Sequence, residues 1–326
     1  LDSILAVTFT NKAANEMRER LGDLLLRPIG RMWVGTFHSL AHRLLRTHAT
    51  EANLSPTFQI LDQQDQYRII KRLMKENGID EAKFPIRKVQ WFINQQKDEG
   101  IKPIDIDAGY NFFIKQSAKV FALYETHCQV NDLVDFAGLL VKSHELLKNN
   151  ASLLEHYQRQ FKHILVDEFQ DTSSQQWQVL EPLARDITEQ SQQRSFFCVG
   201  DEKQAIYGWR GGVAGIFGTL EERLTGLKHQ DLKVSYRSST AVIETINEVF
   251  VGASRHADLE DLETAVSDWT ARYVEHEAHH TDRPGYTCLR TLPGEPGEPG
   301  RISKDLTHDL LAEIISDTDT DSGGHS

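Results

Sequence analysis

The string Ile164-Leu165-Val166-Asp167-Glu168-Phe169-Gln170-Asp171-Thr172 constrains this chain more than any other. Its apolar start reads as a buried strand. The adjacent acids at its end place two carboxylates at the carboxyl edge of a sheet, where α/β proteins bind their ligands. In a phosphoryl-transfer site the first acid of such a pair holds Mg2+ through oxygen coordination. The second orients and deprotonates an attacking water. A bare Val-Asp-Glu would serve equally as two solvated acids capping the next helix; the longer string favours chemistry.

The surrounding chain repeats strand then helix. Residues 4–9 are apolar and rich in β-branched types, and helical spacing follows from Lys12 to Leu26, with Asn11 expected as the N-cap. A second strand over Met32–Phe37 leads into a helix carrying Leu40, Leu44 and Leu45. This alternation predicts an α/β fold with a parallel sheet. Residues 62–134 read as almost wholly helical, either an insertion within the α/β part or a separate helical lobe. A helix over 136–148 follows, then strands at His163–Val166, at 195–200 (SFFCVG, expected to be buried) and at Leu232–Ser235. Beyond about Ala253 the pattern weakens: 255–282 could form an acidic helix, 293–300 (PGEPGEPG) is a flexible linker and 316–326 a polar tail.

Charge bears on the partner. The 326 residues carry 36 basic and 48 acidic side chains, a net charge of −12. Residues 1–163, however, hold 22 Lys and Arg against 19 Asp and Glu, while 255–326 hold 6 against 16. The acidity lies mostly in the tail, and local patches govern phosphate contact, so a polyanionic partner stays open. No apolar run approaches the ~18 residues of a membrane span, and no membrane partner is expected. Three separated cysteines, Cys128, Cys198 and Cys288, form neither a disulfide framework nor a metal spacing, which suits a reducing, cytoplasmic location. The chain opens on leucine without a signal-like segment, and it is expected to begin inside a longer protein.

Further motifs follow the strands. Val199-Gly200-Asp201-Glu202-Lys203-Gln204 continues into Ala205-Ile206-Tyr207-Gly208-Trp209-Arg210. Here the Gln204 amide could sense a phosphate or place a water. Tyr207, Trp209 and Arg210 combine aromatic faces with a guanidinium, a mixture suited to single-stranded nucleic acid; an aromatic corner under a glycine turn is the alternative. In Ser235-Tyr236-Arg237-Ser238, Arg237 could stabilise phosphoryl charge and Tyr236 could stack on a base, or the arginine could make a surface ion pair. Thr8-Phe9-Thr10-Asn11 and Gly35-Thr36-Phe37-His38-Ser39 share hydroxyls, a ring and an amide or imidazole at a strand end. Such groups hold backbone phosphates, and they equally cap helices. His276 and His280 stand at helical i,i+4 spacing, where a solvated face outweighs a metal site.

Taken in order, AVTFTNKAANEM, VGTFHSLAHRLLR, ILVDEFQDT, VGDEKQAIYGWRGG and SYRSS resemble the UvrD/Rep/PcrA-type superfamily 1 DNA helicases. The resemblance covers residues 4 to about 250. It implies a RecA-like P-loop NTPase sheet with an inserted helical subdomain. Residues 1–61 would then be the first part of the first RecA-like domain and 62–134 its helical insertion. Residues 135–254 would continue that domain to the start of the second, leaving 255–326 as acidic region, linker and tail. It also implies ATP-driven, 3′ to 5′ movement on single-stranded DNA with duplex unwinding, in repair or recombination, with ATP and Mg2+ as cofactors. Partners would be single-stranded and duplex DNA and repair or recombination proteins.

Residue by residue, Asp167 matches the Mg2+-holding acid and Glu168 the general base. Gln204 matches the γ-phosphate sensor, Arg237 an arginine on the γ-phosphate, and Tyr236 the ring on adenine. Phe9, Tyr207 and Trp209 resemble rings that meet DNA bases; Thr8, Asn11, Thr36, His38 and Arg210 resemble backbone-side contacts. Four features depart from the pattern. The family's Gly-rich G-K-[ST] loop, which lies before the segment matching 1–12, and the later arginine motifs have no counterpart in this sequence. From Asp171 onward the chain looks closer to the RecB/AddA branch, and Ser235 stands where asparagine is usual. This chain alone is therefore expected not to hydrolyse ATP efficiently. The alternative is a non-catalytic single-stranded DNA-binding or interaction module on a degenerate ATPase fold.

Overall fold

The computed structural model describes residues 2–26, 29–30, 32–189, 193–201, 204–205, 216–255, 259, 262–271 and 273–288. The chain divides into two compact units, 1–228 and 229–326.

In the first unit, β1 (Ile4–Thr8) is followed by α1 (Asn11–Leu25), β2 (Trp33–Thr36) and α2 (Phe37–Thr47). Later come β5 (His163–Val166), α8 (Ser174–Glu189) and β6 (Ser195–Cys198). These strands form a parallel sheet in the order β2-β1-β5-β6, as the strand–helix alternation predicts. All their carboxyl ends therefore meet at one edge.

The helix starts explain that edge. Thr10, not Asn11, caps α1: its backbone is extended and its hydroxyl accepts the Ala13 N–H at 3.1 Å, whereas Asn11 is already helical. Thr36 caps α2 in the same way, accepting from the Ser39 N–H at 3.3 Å.

One sheet face is closed by a continuous core. Leu5, Val7, Trp33, Ile164 and Val166 pack there with Leu45 of α2 and Trp177 of α8, all buried. On the other face α1 covers Ala6 and Val34. The strand register continues this row through Leu165 to Phe197, which are 38% and 54% exposed. The expectation of a buried β6 thus fails: Phe196 and Cys198 are only partly buried against the core, and on the other face α1 covers the β2–β1 half of the row while the β5–β6 half stays open.

Between α2 and β5 the chain passes through β3 (Gln59–Leu61), α3 (Gln63–Glu76), α4 (Ile86–Asp98), α5 (Phe112–Val130), β4 (Leu133–Asp135), α6 (Phe136–Asn149) and α7 (Ala151–Gln160). A separate core of Ile70, Met74, Val89, Ile93, Val120 and Tyr124 holds α3, α4 and α5 together. The chain enters and leaves these helices side by side, because β3 and β4 pair in parallel with Leu61 opposite Asp135. The last helix of the unit, α9 (Ile216–Arg223), adds Leu220 to the sheet-side core.

The second unit contains β7 (Val234–Ser235), α10 (Thr240–Gly252), α11 (Glu263–Ala271) and β8 (Glu277–Ala278), with β7 and β8 in parallel. Phe250 of α10 stacks between Trp269 and Tyr273, at 4.6 and 4.8 Å. Of the acidic helix expected over 255–282, the described residues form α-helix at Glu263–Ala271, while His276 precedes a strand, which removes the i,i+4 relation to His280. Hydrogen bonding to Asn247 at both its N–H and its carbonyl draws His276 into extended backbone. Among the described residues no group of three or more His, Cys, Asp and Glu side chains could hold a metal ion, and no helix is long and apolar enough to cross a membrane. The linker at 293–300 and the tail at 316–326 lie outside the described residues.

Candidate functional site

The carboxyl ends of β1, β5 and β6 converge on Glu168. At the end of β5 the Asp167 N–H donates to the Val7 carbonyl at 2.9 Å, continuing the ladder for one more residue. Glu168 then adopts a left-handed backbone (φ 53°, ψ 40°), which turns the chain out of the strand. Its N–H donates to Asp167 Oδ1 at 3.0 Å. Phe169, next in the chain, is fully buried edge-on against Trp177, so the turn is anchored in the core.

The Glu168 carboxylate faces β1. Thr8, fully buried, donates its hydroxyl to Oε2 at 3.5 Å, and the Phe9 N–H donates as well. Burial, then the Asp167 charge, raises the Glu168 carboxyl above its ordinary value despite these two donors. A carboxylate with raised proton affinity, next to a second acid, is suited to take a proton from water. The donor set of two acids and a hydroxyl also fits Mg2+, which is commonly held by one or two carboxylates together with substrate phosphates.

A second hydrogen-bonded line ties β5 to β6. The Phe169 N–H donates to the Val199 carbonyl at 3.0 Å, and the Asp201 N–H donates to Gln170 Oε1 at 3.2 Å. Gln170 in turn donates to Asp171 at 3.1 Å, and Gln204 donates its amide to Asp201 Oδ2 at 3.1 Å. Gln204 is exposed and thus reaches the acidic turn through Asp201 and Gln170. These two connecting residues were not singled out by sequence reasoning, although both stand inside the quoted motifs. Nothing local marks them, since Gln170 stands between Phe169 and Asp171 and Asp201 between Gly200 and Glu202, among other polar and charged side chains.

The remaining positions divide by exposure. Phe9 and His38 are half-buried, Asn11 is exposed on the first turn of α1, and Thr36 is buried as a cap. Thr8, expected among the DNA contacts, is fully buried and donates its hydroxyl to Glu168. Burial holds the His38 imidazole below its ordinary value, so it is neutral at pH 7. Its ring meets Phe136 edge-on at 5.9 Å, and Phe136 is 48% exposed. The sequence reading passed over Phe136; an aromatic at the first helical position, straight after a short strand, is the cue that marks it. Tyr207, Trp209 and Arg210 lie outside the described residues. In the second unit, Tyr236 is 66% exposed with its ring 4.3 Å from that of His279, and Arg237 is exposed.

Residues 1–225 match the UvrD/REP helicase N-terminal domain family. The chain is 45% identical to DNA helicase II of Escherichia coli (strain K12) over 245 residues, which are 75% of this chain and 33% of that protein. It is 41% identical over 258 residues to DNA helicase II of Haemophilus influenzae, covering 77% of this chain and 34% of that one. With ATP-dependent DNA helicase PcrA of Leuconostoc citreum it shares 34% identity over 248 residues, 76% of this chain and 32% of the relative. The chain thus spans about a third of the length of these relatives. With a parallel α/β sheet that carries acids at its carboxyl edge, and matched over residues 1–225, the chain belongs to the UvrD/REP helicase N-terminal domain family.

Proposed function

We propose that this chain supplies the nucleotide-facing part of an ATP-dependent DNA helicase that moves 3′ to 5′ along single-stranded DNA and unwinds duplex. The observation that carries this reading is the Glu168 carboxylate, held at the sheet edge by Thr8 and the Phe9 N–H beside Asp167. Asp167 would hold the Mg2+ of MgATP, which when bound offsets charge on the phosphates. Glu168 orients the attacking water and takes its proton. Gln204, wired through Asp201 and Gln170 to the same turn, reports the state of the phosphates to the adjoining segment. Tyr236 and Arg237 serve adenine and the γ-phosphate, as the family resemblance implies.

The DNA-facing set is Phe9, Asn11, Thr36, His38, Tyr207, Trp209 and Arg210, to which we add Phe136. Its exposed ring beside His38 gives a base an aromatic face next to helix N-termini that suit phosphates. Within this reading 1–61 and 135–254 belong to the first RecA-like domain up to the start of the second, and 62–134 is its helical insertion. The protein works in the cytoplasm, in repair or recombination, with the proteins of those processes as partners.

The test is a chimera in which residues 1–225 replace the matching segment of Escherichia coli DNA helicase II. DNA-stimulated ATP hydrolysis is expected, and Glu168→Gln should lower kcat by about 10²-fold or more while ATP still binds. A folded chimera that binds single strands but neither binds nor hydrolyses ATP would instead support a non-catalytic binding module.

A further inference from the structure

Asp135 ends β4 and caps α6, and its carboxylate is almost wholly buried. Oδ1 accepts the Gly138 N–H at 2.7 Å, the bond that starts the helix. Oδ2 accepts from Tyr124 at 2.8 Å and from Gln66 at 3.2 Å. Lys97 Nζ lies 2.9 Å from both oxygens and donates also to Glu125 at 2.8 Å. Gln66, Lys97 and Tyr124 come from α3, α4 and α5 respectively. One side chain therefore gathers the three inserted helices onto the first turn of α6. Space around it is closed, since a Cβ at Gly138 would lie 2.8 Å from Oδ1.

Both members of the ion pair stay charged. Burial alone would raise the Asp135 carboxyl, but the Lys97 ammonium and the donated hydrogen bonds outweigh it and hold it below its ordinary value. Burial would likewise lower Lys97, and Asp135 and Glu125 raise it instead. A buried pair of this kind contributes little net stability but strongly penalises any arrangement that separates its members. Its worth lies in geometry, and the geometry is placed one residue from Phe136, whose ring rests against His38.

We propose that Asp135 is a positioning residue: through the capped first turn of α6, the inserted helices set the angle at which Phe136 stands on His38. The consequence for nucleic acid rests on the proposed function above, in which that aromatic pair meets a single strand. Movement of α3, α4 or α5 is then felt at the pair through Gln66, Lys97 and Tyr124.

The experiment uses the full chain and two readouts. The first is the ring-proton resonance of His38 in the free protein, which the Phe136 ring current shifts, assigned with His38→Gln and calibrated with Phe136→Ala. The second is affinity for a fluorescent oligo(dT). Tyr124→Phe removes one donor to Asp135 and keeps the ring. It should move the His38 resonance toward its position in Phe136→Ala and weaken oligo(dT) binding about fivefold. In a Phe136→Ala background it should weaken binding no further. Gly138→Ala, which keeps every donor but presses on the carboxylate, should move His38 the same way and serves if Tyr124→Phe does not fold. An unmoved His38 resonance in a folded variant overturns the proposal, as do independent, multiplying losses of affinity. A shifted His38 resonance with oligo(dT) affinity unchanged even in Phe136→Ala supports the positioning role and sinks the DNA reading of the pair instead.

Discussion

The Thr8 hydroxyl stands 3.5 Å from the Glu168 carboxylate, although 160 residues separate them in the chain. Adjacent parallel strands β1 and β5 make the meeting possible, and the left-handed turn at Glu168 aims the carboxylate back across β1. The bond favours the ionised acid, working against the burial that raises it. In the chimera, ATP hydrolysis should therefore fall as pH drops through the Glu168 ionisation. Thr8→Val removes a donor to the charged form, so the acidic limb of its kcat–pH profile should move to higher pH. A limb that stays in place would separate Thr8 from the proton-accepting step.

Phe136 exposes about half its surface, and its removal leaves the buried core intact. Phe136→Ala should weaken oligo(dT) binding by the ~1–3 kcal/mol typical of one stacked base. The salt dependence should not change, because a neutral ring displaces no counterions. Fluorescence anisotropy across a salt series reads both quantities.

Ile164 and Phe197 sit on neighbouring strands with opposite surroundings. Ile164 is fully buried between two sheet neighbours, and Ile164→Ala should cost about 2–5 kcal/mol. Phe197 is 54% exposed on the open half of its row, and Phe197→Ser should cost less than about 1 kcal/mol. Urea midpoints of the two variants give the comparison.

Asp98, at the end of α4, has its carboxyl raised to about 6 by burial and then by the nearby Asp135 charge. The folded protein binds this proton more tightly than the unfolded chain, whose carboxyl titrates near 3.8. Its contribution to stability is fully present below 3.8 and is lost as pH rises through about 6. Asp98→Asn should accordingly be more stable than the parent at pH 8, on the order of 1–2 kcal/mol, with the difference vanishing near pH 4. Thermal denaturation at the two pH values measures it.

Much of the site was legible before any coordinates. Asp167, Glu168 and Gln204 follow short apolar runs, and residues at the end of a parallel strand have one edge to occupy whatever the strand order. The helix caps were readable only approximately. Thr10 and Asn11 are both capping types, and choosing between them needs the backbone dihedrals at the strand exit. The helix expected over 255–282 is met at Glu263–Ala271 and not at His276, because helical spacing in a polar segment competes weakly with the hydrogen bonds that Asn247 offers to His276.

Sequence by itself determined the parallel α/β class, the helical character of 62–134 and the acids at the strand end, because apolar period and strand-end chemistry are local properties. Tertiary structure decided which groups meet: Thr8 on Glu168, Gln170 on Asp201, Phe136 on His38, and three helices on one carboxylate at Asp135. Those pairings depend on strand order and helix packing between residues far apart in the chain, and burial then turns them into shifted ionisation and fixed geometry.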